Sequence, residues 1–527
     1  MALTECLMPP PSPPSPVPDA LPVDGQHLTI EDLADVARRG RKVELTPQAK
    51  ANLERARAAV AKAVAEGRPV YGVTTGFGRL SDRIVPKDQL PALQRNLIRS
   101  HASGVGPLLP REIVRSMMLL RANSLSKGFS GVRVEVVELL LSALNQDVVP
   151  AVPSQGSVGA SGDLAPLAHL ALALTGEGEV QQKDGTTLPA AKALREAGLA
   201  PLSLVEKEGI SLVNGTCLMA GDLALLVHDG ERLLRAALLA AALSFDALKG
   251  NLGSLDPRLH EARNLPAQSE VAADLRGLLH GSALTLAPGE YQGQDPYVLR
   301  CIPQVLGATR MALGWARTVA ERELNAASDN PLVFDGDFLS GGNFHGQPLA
   351  LTLDTLALGL SYVGGFSERR VARLVDADLS RGLSPFLSST PGFSSGYMIP
   401  PYVAASLVAE NQVLVHPASA YSLPTSANQE DFNSMGATSG AKARKLLENL
   451  WRVVAIELLV AAQALEQRRP ARGGAGTEAI HAAVRRRVPA LTEDRSPAPD
   501  LALLAQALSD GSLLAEVGPE VASGRTA

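Results

Sequence analysis

The sequence predicts a predominantly α fold: a central bundle of long helices, with minor strands near the loops. The helical period recurs over long stretches. Lys445, Glu448 and Arg452 lie three or four residues apart, while Leu446, Leu447, Leu450, Trp451 and Val454 cover the opposite side. Similar patterning fills 303–325, 346–374 and 400–415. Runs of alternating apolar and polar residues are few and short, so long helices burying their stripes against one another are the architecture that accounts for the pattern.

Composition sets the bounds. A chain of 527 residues corresponds to three or four units at ~150 residues each. With 46% hydrophobic and 20% charged residues, a large core is available and global disorder is excluded. The net charge of −5 and the 4% aromatic content argue against nucleic-acid or membrane-surface partners and against base-stacking platforms. The three cysteines, Cys6, Cys217 and Cys301, form no Cys-x-x-Cys pair. That disfavours thiolate metal sites and a disulfide framework, and suits a reducing cytoplasm. No segment reads as a membrane span: the most apolar stretch, Leu218–Leu248, contains Asp222, Asp229, Glu231, Arg232 and Arg235. The N-terminus lacks the basic start of a secretory signal and runs into the Pro-rich tract Pro9–Pro18, which reads as a flexible, polyproline-like tail.

Four segments follow: a tail over 1–24, an N-terminal domain over 25–215, a long-helix bundle over 216–470 and a C-terminal helical segment over 471–527. Order is expected from about Leu21. Thr29-Ile30-Glu31-Asp32 resembles a capping box, and Gly40 closes the helix it opens. Thr46 caps a second helix with Pro47 at its first position, running to Glu66-Gly67. Val70–Gly78 holds three glycines in seven positions and reads as a loop with tight turns. Helical patterning resumes from Leu90 to about Leu144, and a second unusual loop spans Pro150–Gly162. Long amphipathic helices follow Asn214-Gly215, and Arg472–Gly476 reads as a hinge. No repeat of solenoid period is present.

The stretch Gln155–Pro166 has glycines at 156, 159 and 162. A phosphate loop would need a Gly-Lys-Ser/Thr ending, and Lys is absent. A hydrolase elbow fails because residue 163 is Asp. A bland turn stays open. So does a more specific chemistry: in a tight backbone the Gly162 amide nitrogen can attack the Ala160 carbonyl carbon. Loss of one water from that ring, and of a second from Ser161, gives a methylidene-imidazolone electrophile. Gly162 offers no Cβ to obstruct closure, Ala160 is small, and Ser161 carries the hydroxyl that leaves.

These residues, within Gly156–His169, resemble the histidine and aromatic amino-acid ammonia-lyases, and the likeness extends from about residue 27 to 495. The resemblance implies a fold of the fumarase/aspartase type and a smaller N-terminal domain carrying the electrophile. It also implies a homotetramer with shared active sites, a 4-methylidene-imidazol-5-one made from Ala160-Ser161-Gly162, and no metal or dissociable cofactor. Tyr71, alone readable as a buried tyrosine beside a turn, would be the base on a mobile glycine-rich loop. Ser100-His101 occupies the position that reads the substrate side chain. Histidine lyases carry Ser-His there, phenylalanine lyases Phe-Leu and tyrosine lyases His-Leu, although some tyrosine aminomutases also carry Ser-His. An imidazole can exchange a hydrogen bond with His101, whereas a phenyl ring would waste it.

Asn214, otherwise an ordinary Asn-Gly turn, would bond the electrophile and the substrate amine. In Tyr291–Arg300, Arg300 would clamp the substrate carboxylate, and Gln294 and Tyr297 would position substrate and electrophile. Phe344 would be an apolar wall. Glu430 matches the carboxylate of histidine lyases and is a sensible partner for an imidazole N–H. One departure stands out: Phe432-Asn433 replaces the more usual His-Val.

The implied reaction is elimination of ammonia from L-histidine to give trans-urocanate. Alternatives are a tyrosine ammonia-lyase or tyrosine 2,3-aminomutase and, more remotely, a non-catalytic helical assembly protein.

Overall fold

The computed structural model describes residues 20–78, 82–290 and 293–518, together with Val521. Cys6, the Pro9–Pro18 tract, Tyr291 and Gln292 lie outside the described residues.

Three helices of about thirty residues form the centre: Cys217–Ala247, Gln347–Val375 and Gly436–Glu466. Ile302–Glu323 packs against the first two, and Pro400–Leu414 lies on the last two. Cys217–Ala247 is apolar nearly all round because it is covered nearly all round. Its interrupting charges are paired, Asp222 with Arg444, and Asp229 with Arg38 and Arg232. Deeper still, fully buried Glu457 accepts from the Arg370 guanidinium and from the hydroxyls of Ser244 and Ser367. Unpaired, either charge would cost several kcal/mol, on the order of 3–5. By length and composition Gln347–Val375 could cross a membrane. Here it packs against Cys217–Ala247, Ile302–Glu323, Pro400–Leu414 and Gly436–Glu466 and carries Glu368 and Arg370 into the interior, as a core helix does.

Among the described residues, strands occur as four two-stranded pairs. Local signals read from the sequence fall where expected at the N-terminus. The Thr29 side chain accepts from the Asp32 amide, and Gly40 ends that helical stretch at φ +71°. Thr46 accepts from the Ala49 amide, with Pro47 opening Pro47–Ala65.

Three expectations need correction. Order begins near Leu21 as expected, but the tail segment drawn to residue 24 runs too far, because Leu21–Val23 forms a strand parallel to Val43–Leu45. Leu21 and Val23 are buried and Pro22 faces out, a pattern too short to read from sequence. The stretch from Leu90 to Leu144 is not one helical run. Leu90–His101 is followed by a strand, Val105–Leu108, then by Arg111–Ser126 and Val134–Asn145. Gly104, Gly106, Pro107 and Pro110 break the first junction, and Gly128 and Gly131, both at positive φ, break the second. Finally, 472–476 is a close-packed seam rather than a hinge. A Cβ on Gly474 would lie 2.5 Å from the Leu279 carbonyl carbon, and the Gly474 amide donates to Asp246.

The strand Val105–Leu108 pairs antiparallel with Pro153–Gln155. That pairing delivers the 156–163 loop to the end of the helix bearing His101.

Candidate active site

The Ala160-Ser161-Gly162 turn is clamped from two sides. Gly159, Ser161 and Gly162 have φ of +73°, +50° and +77°, and Gly159 and Gly162 bridge each other. A left-handed serine costs roughly 1–3 kcal/mol and persists only where its surroundings impose it. On one side the Asp163 amide donates to the Gly215 carbonyl at 2.7 Å, and the Gly215 amide donates to the Ser161 carbonyl at 3.3 Å. On the other, the Met435 amide donates to the Val158 carbonyl at 2.9 Å. A Cβ on Gly162 would stand 2.0 Å from the Gly215 oxygen, and one on Gly159 would stand 1.9 Å from Ser434 Oγ.

Asp163 ties this turn to the bundle. Its Oδ1 accepts the Ser157 hydroxyl at 2.9 Å, and its Oδ2 accepts the Leu218 and Met219 amides at the start of Cys217–Ala247. Burial pushes its carboxyl up to about 7, against the opposing pull of those donors.

Glu430 meets the turn from residues far along the chain. Its Oε1 accepts from Ser161 Oγ at 3.3 Å and its Oε2 from the Thr425 hydroxyl at 2.9 Å. His101 ends Leu90–His101 with Nδ1 3.0 Å from Ser100 Oγ. Burial lowers its pKa, and the nearby Glu430 charge pulls the other way. A neutral imidazole has one donor and one acceptor nitrogen, which is the set needed to read another imidazole.

The Tyr71 loop is pinned at its root and at its tip. Val70 and Val73 sit in a small apolar cluster with Val60, Val64, Leu90 and Val333. The Gly78 amide donates to Tyr71 Oη at 3.1 Å, and a Cβ on Gly78 would lie 3.0 Å from Ser426 Oγ, so the loop abuts the segment that carries Glu430. Fully buried Gln94 joins two site elements: Nε2 donates to the Gly72 carbonyl, and Oε1 accepts the Ile210 amide, both at 3.2 Å. Ile210 belongs to Glu208–Val213, which leads into Asn214. Asn214 is 3% exposed; its carbonyl accepts from the Arg121 guanidinium at 2.6 Å, while its Oδ1 has no partner. A buried orphan acceptor of this kind marks where a ligand donor fits.

Gln294, Tyr297, Arg300 and Phe344 are not brought to this cluster. Tyr297 is 67% exposed, its ring 4.7 Å from the Arg300 guanidinium carbon. Arg300 Nε is buried without a partner, Gln294 is exposed and Phe344 is half-buried. Among the described residues, no hydrogen bond, ion pair or ring contact joins these four to Ser161, His101 or Glu430. Nor is any group of three His, Cys, Asp or Glu arranged to hold a metal ion among them.

Sequence reasoning gave no role to Gln94, Asp163, Thr425 or Arg121. Gln94 carried a readable signal: it is polar on the same stripe as Leu90, Leu97 and Ile98. Thr425 carried none.

A long-helix bundle grips a strained Ala-Ser-Gly turn against an Asn-Gly turn, and the fold is that of the helical lyases. Residues 28–486 match the aromatic amino acid lyase family, and the chain belongs to it. It is 50% identical over 495 residues to a histidine ammonia-lyase of Symbiobacterium thermophilum, covering 94% of this chain and 97% of that protein. Two crystal structures share the fold. Histidine ammonia-lyase from Trypanosoma cruzi has a TM-score of 0.89 at 41% identity, covering 96% of this chain and 97% of the other. Tyrosine aminomutase from Streptomyces globisporus has a TM-score of 0.91 at 38% identity, covering 94% and 98%.

Proposed function

We propose that this chain is a carbon–nitrogen lyase that eliminates ammonia from L-histidine to give trans-urocanate. One observation carries the substrate: the Glu430 carboxylate lies against Ser161 and its charge reaches the His101 imidazole, so a substrate imidazole there finds both a ring partner and an anion for its N–H. The high identity to histidine ammonia-lyases supports the same reading.

The turn fits a methylidene-imidazolone. Its positive φ values compress the backbone, and the close Gly215 oxygen leaves room for no residue but glycine at 162. Once formed from Ala160-Ser161-Gly162, that group supplies an electrophile that makes the substrate amine a better leaving group. Arg300 clamps the substrate carboxylate and Phe344 walls the pocket. The Asn214 Oδ1 accepts an amine N–H, and Gln294 and Tyr297 hold substrate and electrophile in place. His101 and Glu430 fix the imidazole. Tyr71 Oη takes the β-proton, a contribution of typically ~10²–10⁴-fold. The Tyr71 loop closes over the substrate and keeps water out.

The assembly that completes the site is a homotetramer. Met311 and Trp315, Leu358 and Tyr362, and Tyr402 and Val413 leave three neighbouring helices with exposed apolar side chains that a second copy can cover. Arg300, Tyr297 and Phe344 then serve a site in another subunit. Within each chain, 25–215 supplies base, electrophile and Asn214, and 216–470 supplies the clamp and Glu430. Free Cys217 and Cys301 suit a reducing cytoplasm.

The test is incubation of the purified enzyme with histidine, tyrosine and phenylalanine separately. Ammonia release and urocanate absorbance from histidine alone are expected. Coumarate or β-tyrosine from tyrosine would transfer the assignment to the tyrosine-directed reading, which the resemblance to the Streptomyces aminomutase favours.

A further inference from the structure

The loop that carries Glu430 is held in an unusual shape. The Thr425 amide donates to the Glu430 carbonyl at 2.8 Å, and the Glu430 amide donates back to the Thr425 carbonyl at 3.3 Å. Between them Ser426, Ala427 and Asn428 have φ of +50°, +51° and +64°. Three consecutive left-handed residues, none of them glycine, persist only if neighbours over-determine them.

Asn433 is the neighbour that does so. It is 1% exposed, and its amide nitrogen faces three acceptors: the Leu423 carbonyl, Thr425 Oγ1 at 3.2 Å and the Glu430 carbonyl at 3.4 Å. Carbonyl oxygens only accept, so it is the NH₂ of Asn433 and not its oxygen that lies here. Its backbone N–H donates to Ser422 Oγ, closing the base of the loop.

This settles the direction of the Thr425 hydroxyl. Its oxygen receives a hydrogen bond from Asn433, so its single hydrogen is free to point at Glu430 Oε2, 2.9 Å away. With Oε2 occupied, Oε1 is the oxygen turned toward Ser161. We propose that Asn433 and Thr425 are a positioning pair that fixes the orientation in which the Glu430 carboxylate presents its free oxygen to the substrate ring.

This inference rests on Glu430 being the imidazole partner, and a double-mutant cycle separates the two claims. Thr425→Val, Thr425→Ser, Asn433→Val, Glu430→Gln and the Thr425→Val/Glu430→Gln double variant are assayed on L-histidine, with intact mass as the check on chain maturation. Thr425→Val is near-isosteric and keeps the loop testable should Asn433→Val fail to fold. Thr425→Val is expected to lower kcat/KM about tenfold, mainly through KM. Thr425→Ser should restore it, and Thr425→Val should add nothing to Glu430→Gln. A full tenfold loss on top of Glu430→Gln, or no loss from Thr425→Val alone, would overturn the pair while leaving the substrate assignment intact. Unchanged kcat/KM in Glu430→Gln would instead overturn the role of Glu430 itself.

Discussion

The Gly215 carbonyl oxygen stands 2.0 Å from where a Cβ on Gly162 would be. Neither partner can step aside cheaply. The oxygen accepts from the Asp163 amide, and a Cβ on Gly215 itself would lie 2.6 Å from the buried Arg121 guanidinium. Gly162→Ala is therefore expected to open the turn and prevent the loss of two waters from Ala160-Ser161-Gly162. Overpacking of this kind costs typically ~1–3 kcal/mol even where the fold survives. Gly159→Ala meets the Ser434 side chain, with the Met435 amide nitrogen at an ordinary 3.6 Å, and should be the milder change. Intact mass and activity, measured together, check this: a Gly162→Ala enzyme two waters light and fully active would refute it.

Tyr71 and Arg300 face different surroundings in one chain, the first beside the Glu430 loop and the second under Tyr297. If they meet only across subunits, Tyr71→Phe and Arg300→Gln should each be crippled alone yet complement when co-assembled. Random mixing would leave roughly a quarter of the sites with both residues intact. Co-expression with two affinity tags isolates the mixed tetramers. Activity no higher than in either parent would mean the two residues serve the same site from one chain.

What could be read from the residues, and what could not, follows from the range over which each feature is encoded. Thr46-Pro47 and the long helices are local signals repeated over many turns, and they match the structure. The turn at Ala160-Ser161-Gly162 was legible through the long Gly156–His169 motif around it, and the structure holds Gly159, Ser161 and Gly162 at positive φ there. Val105–Leu108 was not, since four residues containing a glycine and a proline have no period to detect. Thr425 was invisible for another reason. Its bond to Glu430 exists only because Ser426, Ala427 and Asn428 adopt a conformation that their propensities argue against. Tyr297, Arg300 and Phe344 could be named from their motif, but no pattern along the chain tells that the fold leaves Tyr297 exposed beside Arg300, without a hydrogen bond or ring contact to Ser161 among the described residues.

Gln94 offers a test of how the site elements are coupled. Gln94→Leu would orphan the Gly72 carbonyl and the Ile210 amide, each costing about 1–3 kcal/mol. The Tyr71 loop and the approach to Asn214 should loosen together. The expected result is a lower denaturation temperature and a fall in kcat larger than the rise in KM. Gln94→Glu keeps the acceptor for Ile210 and should leave that side intact, but it buries a charge beside the Gly72 oxygen. A stability loss with unchanged kcat in Gln94→Leu would reduce the residue to packing alone.

Asp163 gives a pH dependence whose sign can be worked out. Its carboxyl rises from an ordinary 3.8 to about 7 through burial, so the folded chain holds this proton more tightly than the unfolded chain does. The stability it contributes is full below pH ~3.8 and is lost as pH climbs through about 7, with a slope of at most about 1.4 kcal/mol per pH unit. Asp163→Asn removes the titration and keeps the fit: the amide oxygen, placed where Asp163 Oδ2 stands, can accept the Leu218 and Met219 amides, and the new NH₂ can donate to Ser157 Oγ. Denaturant midpoints of the two proteins, compared between pH 4 and 8, should therefore diverge in one direction. The wild type should lose ground to the Asn variant as pH rises toward 7 and stay parallel to it beyond. Other titrating groups cancel in the difference. A gap between the two that does not change with pH across that window would mean the carboxylate is charged throughout, held by its three donors more strongly than burial opposes it.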